Sequence, residues 1–589
     1  MLRLNRGGVS AMEYADRYNL EPLIPLAEYL FHRLFQLNCH TVFGVPNYST
    51  AKLYGALAAT GIQWIQTINQ LNTSFAADAY GRTIGISCYI TSESAELAHI
   101  NGFFGSYCEY VPILQLVILE HSHDLERLIG DVSIFHDIVG DPAEIDFGLR
   151  TLFWGKRPVY MGLRSNDISR LVPSIALNQS ILNKETPAPF PSSLSLSIAR
   201  YQQRQQEQSI VGDIVDQILS KLYSCSTPII VVDALIDRYN YNDMLQNFLA
   251  ETGIPFVTTL MSKAAINESL PNFIGTFLGT LSHPTVREYM NNSDCTLILG
   301  CVIDNFKNSY CRFSYKNKCQ IMLWNDRVKI ENNLIPDVPI HEILPQLIAK
   351  IDASKLSNLY AVTVPDMVPR VEPKPVTFLR QEYLWFRMST WLKEGDVIIS
   401  ESGTSAIGLL RQKFPDNSRL VSQTIWNSSG YSIGACLGVL TAYRDLGKLD
   451  KHRIILIVGD GSLQFTFQEL STILTQGFEP YIYVVNNQGY TVDRTLNKEK
   501  THTNATYFDI QQWEILSIPS LFNSRDYFKR KCMTVGELNS LLNDEEFNDP
   551  RRLKIVELIL PSMDVPVLLE PHDDSSDDEL TPQSKRVRL

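Results

Sequence analysis

What this chain of 589 residues lacks narrows it before any motif is read. Its ten cysteines include no CxxC and no paired spacing, which excludes a disulfide framework or a zinc ribbon and reads as reduced, structural thiols of the cytosol or nucleus. No apolar run approaches the roughly 20 residues of a helical membrane span, so no membrane partner is expected. A clean signal-peptide core is also missing, and Glu13 and Asp16 beside Arg3 and Arg6 argue against a transit peptide. Positive charge is in deficit: 52 Lys and Arg against 64 Asp and Glu leave a net charge of −12, which excludes direct phosphate-backbone binding by the body of the protein. Any role at DNA must therefore run through a partner. There is no short-period repeat.

What is present centres on Arg453 to Arg494. The β-branched run Arg453 to Val458 predicts a buried strand, broken by Gly459-Asp460-Gly461. Leu463, Phe467, Leu470, Ile473 and Leu474 recur at helical spacing, which predicts a helix over 463–474. A second apolar run, Tyr481 to Val485, ends on Asn486, Asn487 and Gly489. Parallel strands joined by a crossover helix end on one edge, so Asp460 and Asn487 converge where open α/β sheets bind ligands. Two side-chain oxygens and a backbone carbonyl near Gly489 form a partial oxygen cage suited to Mg2+, and a Gly-flanked turn at a helix N-terminus is a place for a diphosphate.

Along the chain, residues 1–21 are a polar extension. Strands and helices alternate over 22–185, again over 209–352 and again over 376–569, which predicts three α/β domains, each a mostly parallel sheet flanked by helices. From Pro22 the pattern Leu23, Ile24, Leu26, Ala27, Tyr29, Leu30, Leu34 predicts a helix. Pro-rich connectors, 185–208 and 362–375, separate the domains. Residues 570–589 are an acidic and then basic tail with too little apolar surface to pack.

The motif GDGS followed, after the crossover helix, by Asn486-Asn487 resembles the thiamine-diphosphate signature. With TVFGVP (41–46), FAADAYGR (75–82), RPVYMGL (157–163), GTLSHPTV (279–286) and ESGTSAIG (401–408), the chain resembles the pyruvate decarboxylase family over nearly all of residues 22–565. The resemblance implies a pyrimidine-binding-like domain (22–185), a central domain and a diphosphate- and magnesium-binding domain. It also implies a homodimer or homotetramer, because cofactors in that family lie between the first domain of one subunit and the third of its neighbour. Its cofactors would be thiamine diphosphate and Mg2+. Asp460, Asn487 and the carbonyl of Gly489 match the family's metal ligands, and Thr404, Gly461 and Ser462 match its diphosphate contacts.

The reacting end departs from the family. The glutamate that drives proton exchange on the aminopyrimidine is matched by Gln70, an amide with no titrating proton. The first active-site aspartate is matched by Tyr48, and a phenol with a pKa near 10 does not replace a carboxylate at pH 7. The family's adjacent histidines find only His121 and His123, placed in a polar loop. Its downstream glutamate is matched by Asp493, its bulky wedge by Ser429 and its regulatory cysteine by Leu235. Tyr48, Gln70 and Asp493 are thus degenerate positions, and Gln70 and Ser429 remain cofactor contacts. Groups that act as a unit leave only residual turnover once several are lost.

In the tail, Pro582 and the cluster Lys585, Arg586, Arg588 resemble a monopartite nuclear-localisation signal, which implies a nuclear import receptor; the bland alternative is a solvated basic terminus. Ser575 and Ser576 precede Asp577, Asp578 and Glu579, the pattern of acidophilic-kinase acceptors. Anchor, losses and tail together resemble the thiamine-regulatory branch of the family. The expectation is a sensor of thiamine diphosphate, in the nucleus with a cytoplasmic pool, that acts on transcription factors of thiamine-biosynthetic genes. Two alternatives stay open: a slow 2-oxo-acid carboxy-lyase for pyruvate, branched or aromatic substrates, and a structural subunit of an active paralogue.

Overall fold

The computed structural model describes residues 21–121, 129–182, 210–279, 282–302, 319–356, 373–496 and 505–566. His123, the 185–208 connector, most of the second connector and the tail with Ser575, Ser576, Lys585, Arg586 and Arg588 lie outside them. The described residues fall into two compact units, one of those up to Ile210 with 434–449, the other of those from 211 to 433 and from 450 onward.

The first unit is built on six strands: β1 (Thr41–Gly44), β2 (Gln63–Gln66), β3 (Ser87–Ser92), β4 (Ile113–Leu119), β5 (His136–Ile138) and β6 (Val159–Arg164). They lie in the order β2-β1-β3-β4-β6-β5, and every pairing is parallel. All seven residues of β4 are buried, which is why its sequence reads as continuous Ile, Leu and Val rather than alternating: helices cover both faces of a parallel sheet. Arg82 is buried between Asp78 (2.5 Å) and Glu109 (2.9 Å), so its desolvated charge is met from two sides. The helix expected from Pro22 begins later. Leu23–Pro25 is a strand paired antiparallel with Leu171–Pro173, and the helix runs Leu26–Gln36. A distant partner strand has overridden the local periodicity.

The second unit holds two sheets. One contains β7 (Pro228–Val232), β8 (Phe256–Thr259), β9 (Phe273–Phe277), β10 (Cys295–Leu299), β11 (Cys319–Leu323), β12 (Arg327–Ile330) and β13 (Asn333–Pro336), ordered β9-β8-β7-β10-β11-β12-β13. Its last two pairings are antiparallel, the rest parallel. The other contains β14 (Val397–Ser400), β15 (Arg419–Val421), β16 (Ile454–Gly459), β17 (Tyr481–Asn486), β18 (Phe528–Cys532) and β19 (Lys554–Ile559), ordered β15-β14-β16-β17-β19-β18 and parallel throughout. Each domain-sized sheet is therefore mostly parallel and flanked by helices, as the alternating pattern predicts.

The β-α-β unit of residues 453–486 differs from expectation in detail. Gly459 closes β16, and Asp460 and Gly461 are the first residues of a helix, Asp460–Thr466, rather than a turn before one. The helix expected over 463–474 is split. Thr466 leaves helical geometry (φ −137°), a short 3-10 turn spans Phe467–Glu469, and a second helix runs Leu470–Thr475. The Thr466 hydroxyl donates to the carbonyl of Gly430 at 2.7 Å, a long-range bond that holds the break.

Candidate functional site

β16 and β17 pair in parallel with Gly459 opposite Val485, so both strands finish on the same edge of the sheet. That register delivers Asp460 and Asn487 to one place. Asp460 is 3% exposed. Its Oδ1 accepts from the amide of Gly461 (2.9 Å) and its Oδ2 from the amide of Gly489 (3.0 Å). Burial nevertheless pushes its carboxyl up to about 6, against the lowering effect of those amide donors. A desolvated anion that its donors do not fully compensate fits a site completed by a cation. The other oxygens fit too: Asn487 is buried, and the Gly489 carbonyl accepts from the amide of Thr491 (3.1 Å), with a second lone pair to offer.

The loop that carries these oxygens is held in an unusual conformation. Gln488 has φ 62° and Gly489 φ 128°. A Cβ at Gly489 would stand 2.1 Å from the carbonyl oxygen of Phe508, so the chain can pass here only as glycine. The paired asparagines divide the work. Asn486 donates to Glu557 (2.7 Å) and accepts from the amide of Gln488 (3.2 Å), bracing the turn, while Asn487 is not used in that brace.

The candidate diphosphate contacts lie in the same unit. Thr404 opens the helix Thr404–Leu410 after Gly403 (φ 119°), and it is buried. Gly461 lies under the Tyr490 ring, whose carbons would meet a Cβ there at 3.0 Å. Ser462 is half-buried beside it. The Tyr490 phenol is pushed up first by burial and then by the charges of Asp460, Asp493 and Glu401, which places those three carboxyls around one ring. Asp493 is itself pushed up by burial.

A second turn, 424–430, carries Ser429, half-buried, at the position where the family resemblance calls for a large aliphatic wedge. It is fixed from below: the Gln423 amide oxygen accepts from the amide of Ser428 (2.8 Å). Glu401 accepts from both the amide (3.2 Å) and hydroxyl (2.6 Å) of Ser432. Glu401 is 1% exposed and its other oxygen has no hydrogen-bond partner among the described residues. Burial raises its carboxyl to about 7 in spite of the Ser432 bonds.

The candidate residues of the first unit are placed separately. Gln70 is the first residue of the helix Gln70–Ile84, just after Asn69, whose side chain caps the helix through the amide of Asn72 (2.9 Å). Tyr48 opens the short helix Tyr48–Ala51 and is 82% exposed, with the Lys52 ammonium 4.9 Å from its ring. His121 is 84% exposed beside Glu93, in accord with a place in a polar loop. No acid stands at Tyr48 or Gln70. Reading the sequence alone missed Glu401, Tyr490, Glu557 and Arg494. Glu401 opens the motif ESGTSAIG and Tyr490 follows the paired asparagines, but nothing local marks Glu557, bonded to Asn486, or Arg494, which also reaches Phe508 and Ser562.

Comparison with known proteins identifies the family. Three family profiles match in order: the N-terminal TPP binding domain of thiamine pyrophosphate enzymes over residues 24–139, their central domain over 215–351 and their C-terminal TPP binding domain over 401–522. The chain is 36% identical to the Thiamine metabolism regulatory protein THI3 of Saccharomyces cerevisiae, across 94% of this chain and 92% of that protein. It is 35% identical to the pyruvate decarboxylase of Candida glabrata, across 93% and 97%. The fold is shared with a thiamine diphosphate-dependent 4-hydroxybenzoylformate decarboxylase of Rhodococcus jostii, with a TM-score of 0.71 at 15% identity, covering 91% of this chain and 99% of that one. The chain therefore belongs to the pyruvate decarboxylase family of thiamine pyrophosphate enzymes, whose cofactor is thiamine diphosphate.

Proposed function

We propose that this protein binds thiamine diphosphate with Mg2+ as a regulatory ligand, and that it controls transcription of thiamine-biosynthesis genes through DNA-binding transcription factors. Asp460, Asn487 and the Gly489 carbonyl hold the cation; Thr404, Gly461 and Ser462 hold the diphosphate; Gln70 and Ser429 contact the rest. When bound, the cofactor supplies in its enzymes a carbanion at its thiazolium carbon. The residues of this chain hold the diphosphate end, while Gln70 cannot pass on a proton and Tyr48 offers no carboxylate. That contrast, a buried and braced anchor in the second unit with an amide and a phenol at the matched positions of the first, is the observation that carries the reading. The regulatory name of the Saccharomyces cerevisiae relative supports it.

The control is by linkage. Ligand at about 100 times its dissociation constant favours the binding-competent state by roughly 2.7 kcal/mol, enough to shift a partner that prefers one state. The protein acts as a homodimer or homotetramer, and Lys585, Arg586 and Arg588 take it into the nucleus through an import receptor, leaving a cytoplasmic pool. Removing residues 585–589 from a fluorescent fusion is expected to abolish nuclear accumulation.

The deciding experiment is calorimetric titration with thiamine diphosphate, with and without Mg2+, beside a decarboxylation assay on the same preparation with pyruvate, branched and aromatic 2-oxo acids. Tight magnesium-dependent binding with negligible turnover is expected. Turnover within about tenfold of ordinary enzyme rates, on the order of 10 per second, would favour the second reading, a slow 2-oxo-acid carboxy-lyase. The identity to pyruvate decarboxylases and the Asp493 carboxyl, pushed up by partial desolvation, speak for that one.

A further inference from the structure

Two of the three oxygens assigned to the cation, those of Asn487 and Gly489, sit on a loop whose left-handed residues, Gln488 and Gly489, need an external hold. Arg494 supplies it from the helix Thr491–Leu496, where it is 5% exposed. Its Nη1 donates to the carbonyls of Asn487 (3.1 Å) and Ser562 (3.3 Å). Its Nη2 donates to the carbonyl of Gln488, to that of Phe508 (3.3 Å) and to the Asp509 carboxylate (2.5 Å). A Cβ on Gly489 would stand 2.8 Å from the same nitrogen, so the guanidinium packs directly on the loop.

One planar group thus gathers carbonyls from three separated stretches of chain, 487–488, 508 and 562. With the carbonyls of Asn487 and Gln488 turned onto the guanidinium, the next amide, that of Gly489, is the one that reaches Asp460. The positive charge is matched by the Asp509 carboxylate, which accepts from the same Nη2. Only a guanidinium can do this: it offers five donors in a fixed plane, whereas an ammonium is a point charge with three.

We infer that Arg494 is a positioning residue for the cation site, fixing the 487–489 loop so that the Asn487 side chain and the Gly489 carbonyl are set opposite Asp460 before any ion arrives. The inference rests on the reading of this site as one for magnesium and a diphosphate. Groups that orient metal ligands without touching the metal are worth about 10 to 100-fold in affinity.

The test uses the full chain as wild type, Arg494→Met and Arg494→Lys, titrated with Mg2+ at fixed thiamine diphosphate and followed by calorimetry. Both variants are expected to need about 10 to 100-fold more Mg2+ for half-saturation, with unchanged stoichiometry once saturated. A merely structural role would lower the fraction of competent protein and leave the half-saturating Mg2+ where it was; that result overturns the inference, as does wild-type behaviour in both variants. Arg494→Lys keeps a buried cation and carries the test if Arg494→Met does not fold. A wild type that fails to bind magnesium and thiamine diphosphate overturns the site reading itself, which keeps the two failures apart.

Discussion

The Asp460 carboxylate and the Gly489 amide meet at 3.0 Å, tying the start of one helix to the loop that follows the neighbouring strand. The bond joins two of the three groups assigned to the cation while the cation's own place on the carboxylate is left to the remaining lone pairs. Asp460→Asn keeps the shape and removes the charge. Affinity for magnesium and thiamine diphosphate is expected to fall at least 100-fold, roughly 2.7 kcal/mol. The melting temperature of the ligand-free protein should stay level or rise, because burial already disfavours the charged form. Calorimetry and thermal melting of one preparation check both halves.

Gly489→Ala addresses the backbone of the same loop. The new Cβ would press on the Phe508 carbonyl, and φ 128° is a region that side chains rarely adopt. A loss of about 1–3 kcal/mol in urea unfolding is expected, together with lost ligand binding. Gly459→Ala is the control: its φ is −75° and an added Cβ meets nothing within 4 Å, so its stability should be near neutral.

Glu401 gives the second unit a pH dependence. Its folded carboxyl titrates at about 7 against an ordinary 4.5, because it is buried. The folded state therefore holds the proton more tightly than the unfolded chain. Stability from this group is full below about 4.5, declines as pH rises and is gone above about 7, a change on the order of 3 kcal/mol. Glu401→Gln should flatten the fall in melting temperature between pH 5 and pH 8. An unchanged slope would show that another group titrates there.

Arg82 tests the core of the first unit. Arg82→Met leaves Asp78 and Glu109 buried without their shared cation, and both are fully buried. A loss of about 3–5 kcal/mol is expected in denaturant unfolding. A loss below about 1 kcal/mol, the value of an exposed pair, would mean that water reaches the cluster.

Gln70→Glu restores the titrating group at that one position. Hydrogen–deuterium exchange at the thiazolium C2 of bound thiamine diphosphate, read by quenched-flow NMR, is expected to accelerate by at least about 100-fold. Decarboxylation of pyruvate should remain near background, since Tyr48 still stands where an aspartate would be. No acceleration would remove Gln70 from the cofactor contacts.

Much of the architecture is legible in the sequence because parallel strands buried on both faces must be apolar throughout. The run Tyr481–Val485 falls one residue short of its strand. Misreadings occur where a distant partner wins. Leu23–Pro25 pairs with Leu171–Pro173 instead of joining the helix, and Thr466 gives up helical geometry for a bond to Gly430.

The sequence by itself determined the family, the alternation of strands and helices, the Asp460, Asn487, Gly489 set and the absence of an acid at Gln70 and Tyr48, because each of these is a matter of which residue stands at which spacing. Only the tertiary structure decided that Asn486 braces while Asn487 does not, that Glu401 is a buried acid near neutrality, and that Arg494 gathers carbonyls from Asn487, Gln488, Phe508 and Ser562. Those properties come from desolvation and from hydrogen bonds between remote stretches of chain, and neither exists until the sheets have packed.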